Sequence, residues 1–159
     1  MNDMMMRIKQ SLETPAGDSY TPHSATRLGS GGTGQSGLLY PELSHAIVGA
    51  AIEVHRSVGP GQLEVVYQHA LERELRLQKI PFAAQVPIAV EYKGAVVGEF
   101  VADFIVDESV IVELKAVERV HPVHVAQVLS YLRATRLRLG LLINFNVPVV
   151  YRGVRRVVL

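Results

Sequence analysis

The sequence predicts an α/β (α+β) domain in which a mixed central β-sheet is flanked by helices. Apolar residues recur at helical spacing in two segments between Pro41 and Gln78, and the period then changes to two. One further helical segment lies between the third and fourth predicted strands. A helix between two strands implies a crossover, and therefore a sheet with parallel as well as antiparallel pairs. The predicted order is α-α-β-β-β-α-β-β.

The two helices at the start of the domain are separated by a glycine-rich turn. The first begins near Pro41 and ends at Gly59-Pro60-Gly61, which forces a turn. The second runs roughly from Gln62 to Gln78, before Pro81. The apolar stripes that predict them are Leu43, Ile47, Ala50, Ala51 and Val54, and then Leu63, Val66, Tyr67, Ala70, Leu71 and Leu75.

The predicted strands follow in order. The first has alternating apolar residues at Val86, Ile88 and Val90, and Lys93-Gly94 is a hairpin turn. The third contains Val110-Ile111-Val112, which is apolar on both faces and is therefore expected at the centre of the sheet. The remaining elements are a second strand over Val96–Val106, the third over Val110–Ala116, a helix over Pro122–Ala134, a strand over Leu139–Asn144, and a strand or hairpin within Val147–Leu159.

Composition bounds the domain organisation and excludes several classes of protein. The chain has 159 residues, of which 48% are apolar, and a mean hydropathy of +0.21, so it can bury a core and is not fully disordered. Residues 1–37 are expected to form a flexible Gly/Ser-rich tail before a domain at 38–159. No apolar run approaches the ~18–20 residues of a membrane helix. The absence of cysteine excludes disulfides and thiolate metal sites and favours a cytoplasmic location.

Charge is distributed unevenly along the chain. Residues 38–113 hold 5 Lys/Arg against 11 Asp/Glu, a balance of −6, whereas residues 114–159 hold 8 against 1, a balance of +7. The two halves either neutralise each other in the fold or form a cation site beside a phosphate-binding surface. The basic residues open to either interpretation are Arg133, Arg136, Arg138, Arg152, Arg155 and Arg156.

Two carboxylates and a lysine lie on strands that are otherwise rich in valine and isoleucine. Glu113 and Lys115 are two apart and share a face of the third strand. Asp103 on the second strand can lie beside Glu113 if the two strands form a hairpin. Burial of such charges is costly without a partner or a metal, and carboxylate oxygens suit Mg²⁺ or Mn²⁺. The alternatives are a buried ion pair or three solvated charges.

Helical residues extend this candidate site. Gln127 and Tyr131 are four apart and share a face of the third helix, and Glu64 lies in the first turn of the second helix. Glu64 is also explained by the preference for acids at helix N-termini, and Gln127 and Tyr131 by a partly solvated helix face. His121 and His124 are not predicted as metal ligands, because Pro122 lies between them and no acid clusters nearby in sequence.

Three strings in this order resemble the GxxExxY family, which is placed in the PD-(D/E)XK nuclease superfamily. They are Gly61-x-x-Glu64-x-x-Tyr67, then Asp103 followed by Glu113-x-Lys115, and then Gln127-x-x-x-Tyr131, with the similarity covering about residues 40–159. Ala102 stands where the superfamily name has proline.

The resemblance implies a metal-dependent nuclease that hydrolyses nucleic-acid phosphodiester bonds and leaves a 5′-phosphate. Asp103 and Glu113 would bind Mg²⁺ or Mn²⁺, helped by Glu64. Lys115 would be the catalytic lysine, which activates water or stabilises the developing charge, and Gln127 and Tyr131 would orient the lysine or a phosphate. The implied partner is nucleic acid, with DNA favoured over RNA. The alternative is a non-catalytic module of the same fold that binds another ligand or assembles into homo-oligomers.

Overall fold

The computed structural model describes residues 38–159, which fold as three helices and a five-stranded sheet. The elements are α1 (Pro41–Val58), α2 (Glu64–Leu77), β1 (Phe82–Tyr92), β2 (Ala95–Val106), β3 (Val110–Lys115), α3 (Pro122–Thr135), β4 (Leu139–Asn144), a 3-10 turn (Val150–Gly153) and β5 (Val154–Val158). The predicted tail at residues 1–37 lies outside the described residues and stays a prediction. Within residues 38–159, no helix is both long and apolar enough to cross a bilayer.

The sheet has the strand order β1-β2-β3-β4-β5, and α3 connects its parallel pair. β3 and β4 are parallel, whereas the other three pairs are antiparallel. The predicted mixed sheet and order of elements are therefore confirmed. Within Val147–Leu159, the strand alternative is confirmed as β5, and a 3-10 turn precedes it. A Cβ at Gly153 would lie 2.2 Å from the Asn144 carbonyl oxygen, so this turn packs directly on the end of β4.

Two hydrophobic clusters cover the two faces of the sheet. Helices α1 and α2 pack on one face, where Ile47 and Leu71 meet Val112 and Leu114. Helix α3 packs on the other face, where its residues Val128 and Leu132 meet Ile111, Leu142 and Val157. Every residue of β3 before Lys115 is buried, as expected for a central strand. The charged side chains on β3 therefore lie in the buried centre of the domain, between the sheet and a helix that covers it.

The far end of the β1–β2 hairpin projects beyond the helices. Residues 89–101, here called the hairpin arm, are exposed apart from partly buried Val90. β2 pairs with β3 only over Phe104–Val106 and β1 is the edge strand, so the arm extends past the end of β3 with both outer edges unpaired among the described residues. Its exposed large apolar side chains are Tyr92, Val96, Val97, Phe100 and Val101.

Candidate active site

Strands β2 and β3 separate at Asp103, and this opening forms the candidate site. Their pairing ends at Phe104 and Val112. Beyond that pair, Asp103 Oδ2 accepts a hydrogen bond of 2.7 Å from the backbone N–H of Leu114. The carboxylate thus takes the place of a β2 carbonyl as the acceptor for this N–H. On that side, β3 has no strand partner within residues 38–159 over Glu113 and Lys115.

Gln85 on β1 holds the other oxygen of Asp103. Its Nε2 donates to Asp103 Oδ1 over 3.3 Å, and its backbone has a positive φ of 50°. Ala83 and Val86 both contact the α3 side of the sheet although three positions separate them, so the alternation of faces changes at Gln85. Burial raises the pKa of Asp103, while the Leu114 N–H and the charge of Lys115 oppose that rise.

Glu113 and Lys115 form the most deeply buried ion pair of the described residues. Lys115 Nζ donates to Glu113 Oε1 over 2.7 Å, and Glu113 is only 3% exposed. Burial first, and then the charge of Asp103, raise the pKa of Glu113 to about 7. Burial lowers the pKa of Lys115, but its hydrogen bond and charge interaction with Glu113 outweigh burial, so the pKa is raised on balance.

The second oxygen of Glu113 is the most informative atom of the site. Oε2 is buried and has no hydrogen-bond partner among the described residues. A buried carboxylate oxygen without a partner loses its hydration and gains nothing in return, which is costly. Because the charge of a second carboxylate, Asp103, also acts on Glu113, this oxygen fits a hard cation such as Mg²⁺ or Mn²⁺.

Gln127 and Tyr131 connect α3 to the opening. Gln127 Nε2 donates to the Tyr131 hydroxyl oxygen over 2.6 Å, and that hydroxyl donates to the Val101 carbonyl oxygen over 3.3 Å. Tyr131 is 2% exposed, and burial followed by the charge of Glu113 raises its pKa to about 12. These residues therefore attach the free edge of β2 to α3, and they make no hydrogen bond to Lys115.

Glu64 lies at the mouth of the site as the first residue of α2, and it is exposed. The preceding turn is fixed by Tyr67, whose hydroxyl donates to the Gly59 carbonyl oxygen over 2.7 Å and accepts from the Gln62 N–H over 3.1 Å. Gly61 in this turn has a φ of 88°, which favours glycine.

The three carboxylates do not form a ready-made metal cage. The charge of Glu64 contributes to the pKa values of Glu113 and Lys115, which places it near them. However, no group of three Asp, Glu or His side chains in residues 38–159 is close enough together to hold an ion. The structure thus pairs Asp103 with Glu113, and ligation by Glu64 stays a prediction.

Sequence reasoning missed Gln85 and Asn144. Asn144 pairs with Lys115 in the parallel ladder and is 3% exposed. Its Oδ1 accepts from the Val117 N–H over 3.1 Å, and its Nδ2 donates to the Val117 carbonyl oxygen over 2.8 Å. The side chain therefore fixes the backbone two residues after Lys115. A polar residue at the end of an apolar strand was the available signal.

Three of the arginines lie away from the opening or are held by other contacts. Arg136 ends α3 and Arg138 precedes β4, whereas Lys115 pairs with the last residue of β4. Five steps along the strand separate these ends, roughly 16 Å. Arg156 donates to Ser44 Oγ and to the Leu39 carbonyl oxygen, both over 2.7 Å. Arg156 thus binds β5 to the start of α1, and phosphate contact by Arg136 or Arg138 is not expected at this site.

Comparison with known protein families agrees with this geometry. A sequence profile of the PD-(D/E)XK nuclease superfamily matches residues 41–157, from the start of α1 to β5. The chain belongs to the PD-(D/E)XK nuclease superfamily. Searches of curated proteins and of solved structures give no match.

Membership in the PD-(D/E)XK superfamily gives the opening between β2 and β3 a chemical context. Nucleases of this superfamily generally use divalent metal ions. The paired carboxylates and the unpartnered Glu113 oxygen have the hard, anionic character that such an ion requires. The nuclease-like fold is thereby established, and the activity is a separate question.

Proposed function

We propose that this protein is a metal-dependent nuclease that hydrolyses phosphodiester bonds in nucleic acid. The observation that carries the proposal is the buried Glu113 carboxylate, which has one oxygen on Lys115 and the other without a partner, beside the Asp103 carboxylate. For an ion pair kept only for stability, an unsatisfied buried oxygen is a cost with no gain. Within the superfamily we place the chain in the GxxExxY family, with DNA as the favoured substrate over RNA.

Asp103 and Glu113 are proposed to hold Mg²⁺ or Mn²⁺, with Glu64 completing the site from the start of α2. When bound, the ion supplies Lewis acidity toward the phosphodiester and makes water more acidic. The opening between β2 and β3 places both carboxylates at the end of the sheet where Lys115 also lies. This placement brings the three charged groups to a single phosphate.

Lys115 is proposed to act as an ammonium that stabilises negative charge developing at phosphorus. Its pKa is raised by Glu113 despite burial, so it retains its proton at neutral pH. A protonated lysine is a poor base for removing a proton from water, whereas it stabilises a developing anion directly. Of the two roles compatible with the sequence, the structure favours the electrostatic one.

Gln127 and Tyr131 are proposed as positioning residues. They hold α3 against the Val101 carbonyl at the edge of β2 and so maintain the separation of β2 from β3. Tyr67 has a comparable role on the other side, because it fixes the turn from which Glu64 projects. The three residues of the GxxExxY string would thus have separate roles. Gly61 forms the turn, Glu64 supplies the acid, and Tyr67 holds the turn in place.

The test is cleavage of end-labelled linear, circular and single-stranded DNA and RNA with Mg²⁺ or Mn²⁺. We expect Lys115→Ala to lower cleavage by about 10²–10³-fold, as for loss of one charge-stabilising donor. Lys93→Ala is the matched control, because Lys93 is an exposed lysine in the turn of the hairpin arm. Equal activity of the two variants, or no cleavage by folded wild-type protein with metal bound, would contradict the proposal.

A non-catalytic assembly module is the second candidate, and the hairpin arm is the observation in its favour. Five large apolar side chains are exposed on this one hairpin, and such patches commonly mark interfaces. The occupant would be a second copy of the chain. Sedimentation of wild type and Val97→Lys tests this: a wild-type dimer that Val97→Lys dissociates, in a protein that cleaves nothing, would favour assembly over catalysis.

A further inference from the structure

An open surface pocket lies directly after Lys115, the last residue of β3, and the proposed chemistry does not use it. It has a volume of about 430 Å³. The residues that line it, here called the loop pocket, are Val117, Glu118, Arg119, His121 and His124. They belong to the connection between β3 and α3 and to the first turn of α3. Val117 is only two residues from Lys115, so the pocket adjoins the candidate active site.

The loop pocket is held in shape by contacts outside it. The Asn144 side chain makes two hydrogen bonds to the Val117 backbone, and Phe145 N–H donates to the Lys115 carbonyl oxygen over 2.8 Å. At the other end, the His124 N–H donates to the His121 carbonyl oxygen over 3.0 Å. The loop is therefore fixed at both ends before any ligand arrives.

His124 presents a hydrogen-bond donor from a fixed ring. Its Nδ1 accepts a bond of 3.2 Å from the His121 backbone N–H, so the neutral ring carries its proton on Nε2. The His121 ring is nearly perpendicular to it, with ring centres 6.0 Å apart. Partial burial, and then the positive charge of Lys115, lower the pKa of His124 and favour this neutral form.

The charges around the loop pocket favour an anion. Arg119 is exposed and makes no ion pair with another residue of 38–159. The first turn of α3 contains no acidic residue, and α3 has 14 residues, so its positive end is not neutralised from within the helix. Glu118 is the one carboxylate among the lining residues. Within residues 38–159, His121 and His124 belong to no group of three or more Asp, Glu or His side chains that could hold a metal, so the two histidines are better suited to donate than to ligate.

We propose that the loop pocket binds a phosphate group of the nucleic-acid strand whose adjacent phosphodiester is cleaved. Arg119 supplies charge and His124 Nε2–H supplies a directed hydrogen bond. The proposal rests on the proposed nuclease function, because it assigns a second contact to the same substrate. The phosphate has two sources of the same chemistry, a terminal 5′-phosphate or the next internal phosphodiester.

The experiment measures binding of 3′-labelled single-stranded DNA by fluorescence anisotropy, with Ca²⁺ replacing Mg²⁺ to leave the strand uncut. Strands that begin with a 5′-phosphate and with a 5′-hydroxyl are compared. We expect Arg119→Gln and His124→Asn each to weaken binding about tenfold. For Arg119→Gln, the slope of log K against log salt falls by about 0.7, as for one lost phosphate contact. Arg138→Gln is the matched control at the opposite end of the sheet.

Two substitutions at His124 separate binding from helix capping. His124→Asn keeps an acceptor where Nδ1 bonds the His121 N–H and removes the distal donor, so thermal stability is retained while binding falls. His124→Gln keeps a distal donor and loses that acceptor, so binding is retained. Two results would overturn the pocket proposal alone. One is retained binding by His124→Asn with lost binding by His124→Gln. The other is that Arg119→Gln binds as well as Arg138→Gln does, while the wild type binds the strand.

The remaining outcomes identify the phosphate and test the premise. A loss seen only with the 5′-phosphorylated strand supports a terminal phosphate, whereas an equal loss with both strands supports an internal one. If folded wild-type protein binds no strand at all, the pocket proposal falls together with the proposed nuclease function. If the wild type binds the strand and the pocket variants bind it equally well, only the pocket proposal falls.

Discussion

Substitution of Glu113 by glutamine should stabilise the metal-free protein at high pH. The pKa of this carboxyl rises from 4.5 to about 7 on folding, so between these pH values the folded state binds more protons than the unfolded state. The free energy of unfolding therefore falls as pH increases through this window. At about 1.4 kcal/mol per pH unit, the loss is on the order of 3 kcal/mol above pH 7. Glutamine has the same shape and cannot ionise, so it escapes this loss.

The assay is urea unfolding followed by circular dichroism in EDTA at pH 5 and pH 8. We expect wild type to lose stability between these values, and Glu113→Gln to lose much less. At pH 8 the variant should melt roughly 10 °C above wild type. Glu99→Gln is the matched control, because Glu99 is exposed on the hairpin arm and makes no ion pair within the described residues.

Divalent metal should reverse this ranking at pH 8. A cation that binds the ionised carboxylates stabilises the folded state by mass action, so Mg²⁺ or Mn²⁺ should raise the melting temperature of wild type more than that of Glu113→Gln. The reasoning is refuted if wild type in EDTA is as stable at pH 8 as at pH 5 and Glu113→Gln gains nothing there. In that case the buried carboxylate carries no electrostatic cost that a metal could relieve.

Three further substitutions test how the site is supported. Gly140→Ala should destabilise the fold by about 1–3 kcal/mol, because its Cβ would lie 2.3 Å from Cγ1 of buried Val128; unchanged urea unfolding would contradict this. Tyr67→Phe should cost about 1–2 kcal/mol by releasing the turn between α1 and α2, and should weaken Mg²⁺ binding measured by calorimetry. Asn144→Ala should cost about 2 kcal/mol and weaken strand binding, because Val117 loses both of its side-chain hydrogen bonds; retained anisotropy would show that the loop holds its shape without them.

Most of the fold was predictable because its elements follow simple periodicity. The apolar stripes of α1 and α2 and the doubly apolar β3 each specify one kind of element. The alternating pattern of β1 is regular only from Val86, although the strand begins at Phe82, because the alternation of faces changes at Gln85. That change depends on one residue with positive φ, and no periodic pattern records it.

The residue types of the site were predictable, but the hydrogen bonds that connect them to the fold were not. The spacing of Glu113 and Lys115 on a strand is sufficient to place their side chains together. The sequence could not show that Asp103 takes a strand N–H, that Asn144 fixes the loop after Lys115, or that Tyr131 reaches the Val101 carbonyl. These contacts join residues 11 to 30 positions apart, and they depend on how far β2 separates from β3.

The balance of charge in the opening argues for a metal over a structural ion pair. Two partly or fully buried carboxylates, Asp103 and Glu113, share one buried lysine, so the opening carries an excess negative charge when all three are ionised. A structural pair would be complete with a single carboxylate, and removing the second would then stabilise the protein with no other effect. Asp103 instead spans the opening, because its Oδ2 accepts from the Leu114 N–H of β3 while its Oδ1 accepts from Gln85 of β1. The sheet thus opens where the negative charge collects, and a divalent cation is the partner that offsets both the charge and the unpartnered oxygen of Glu113.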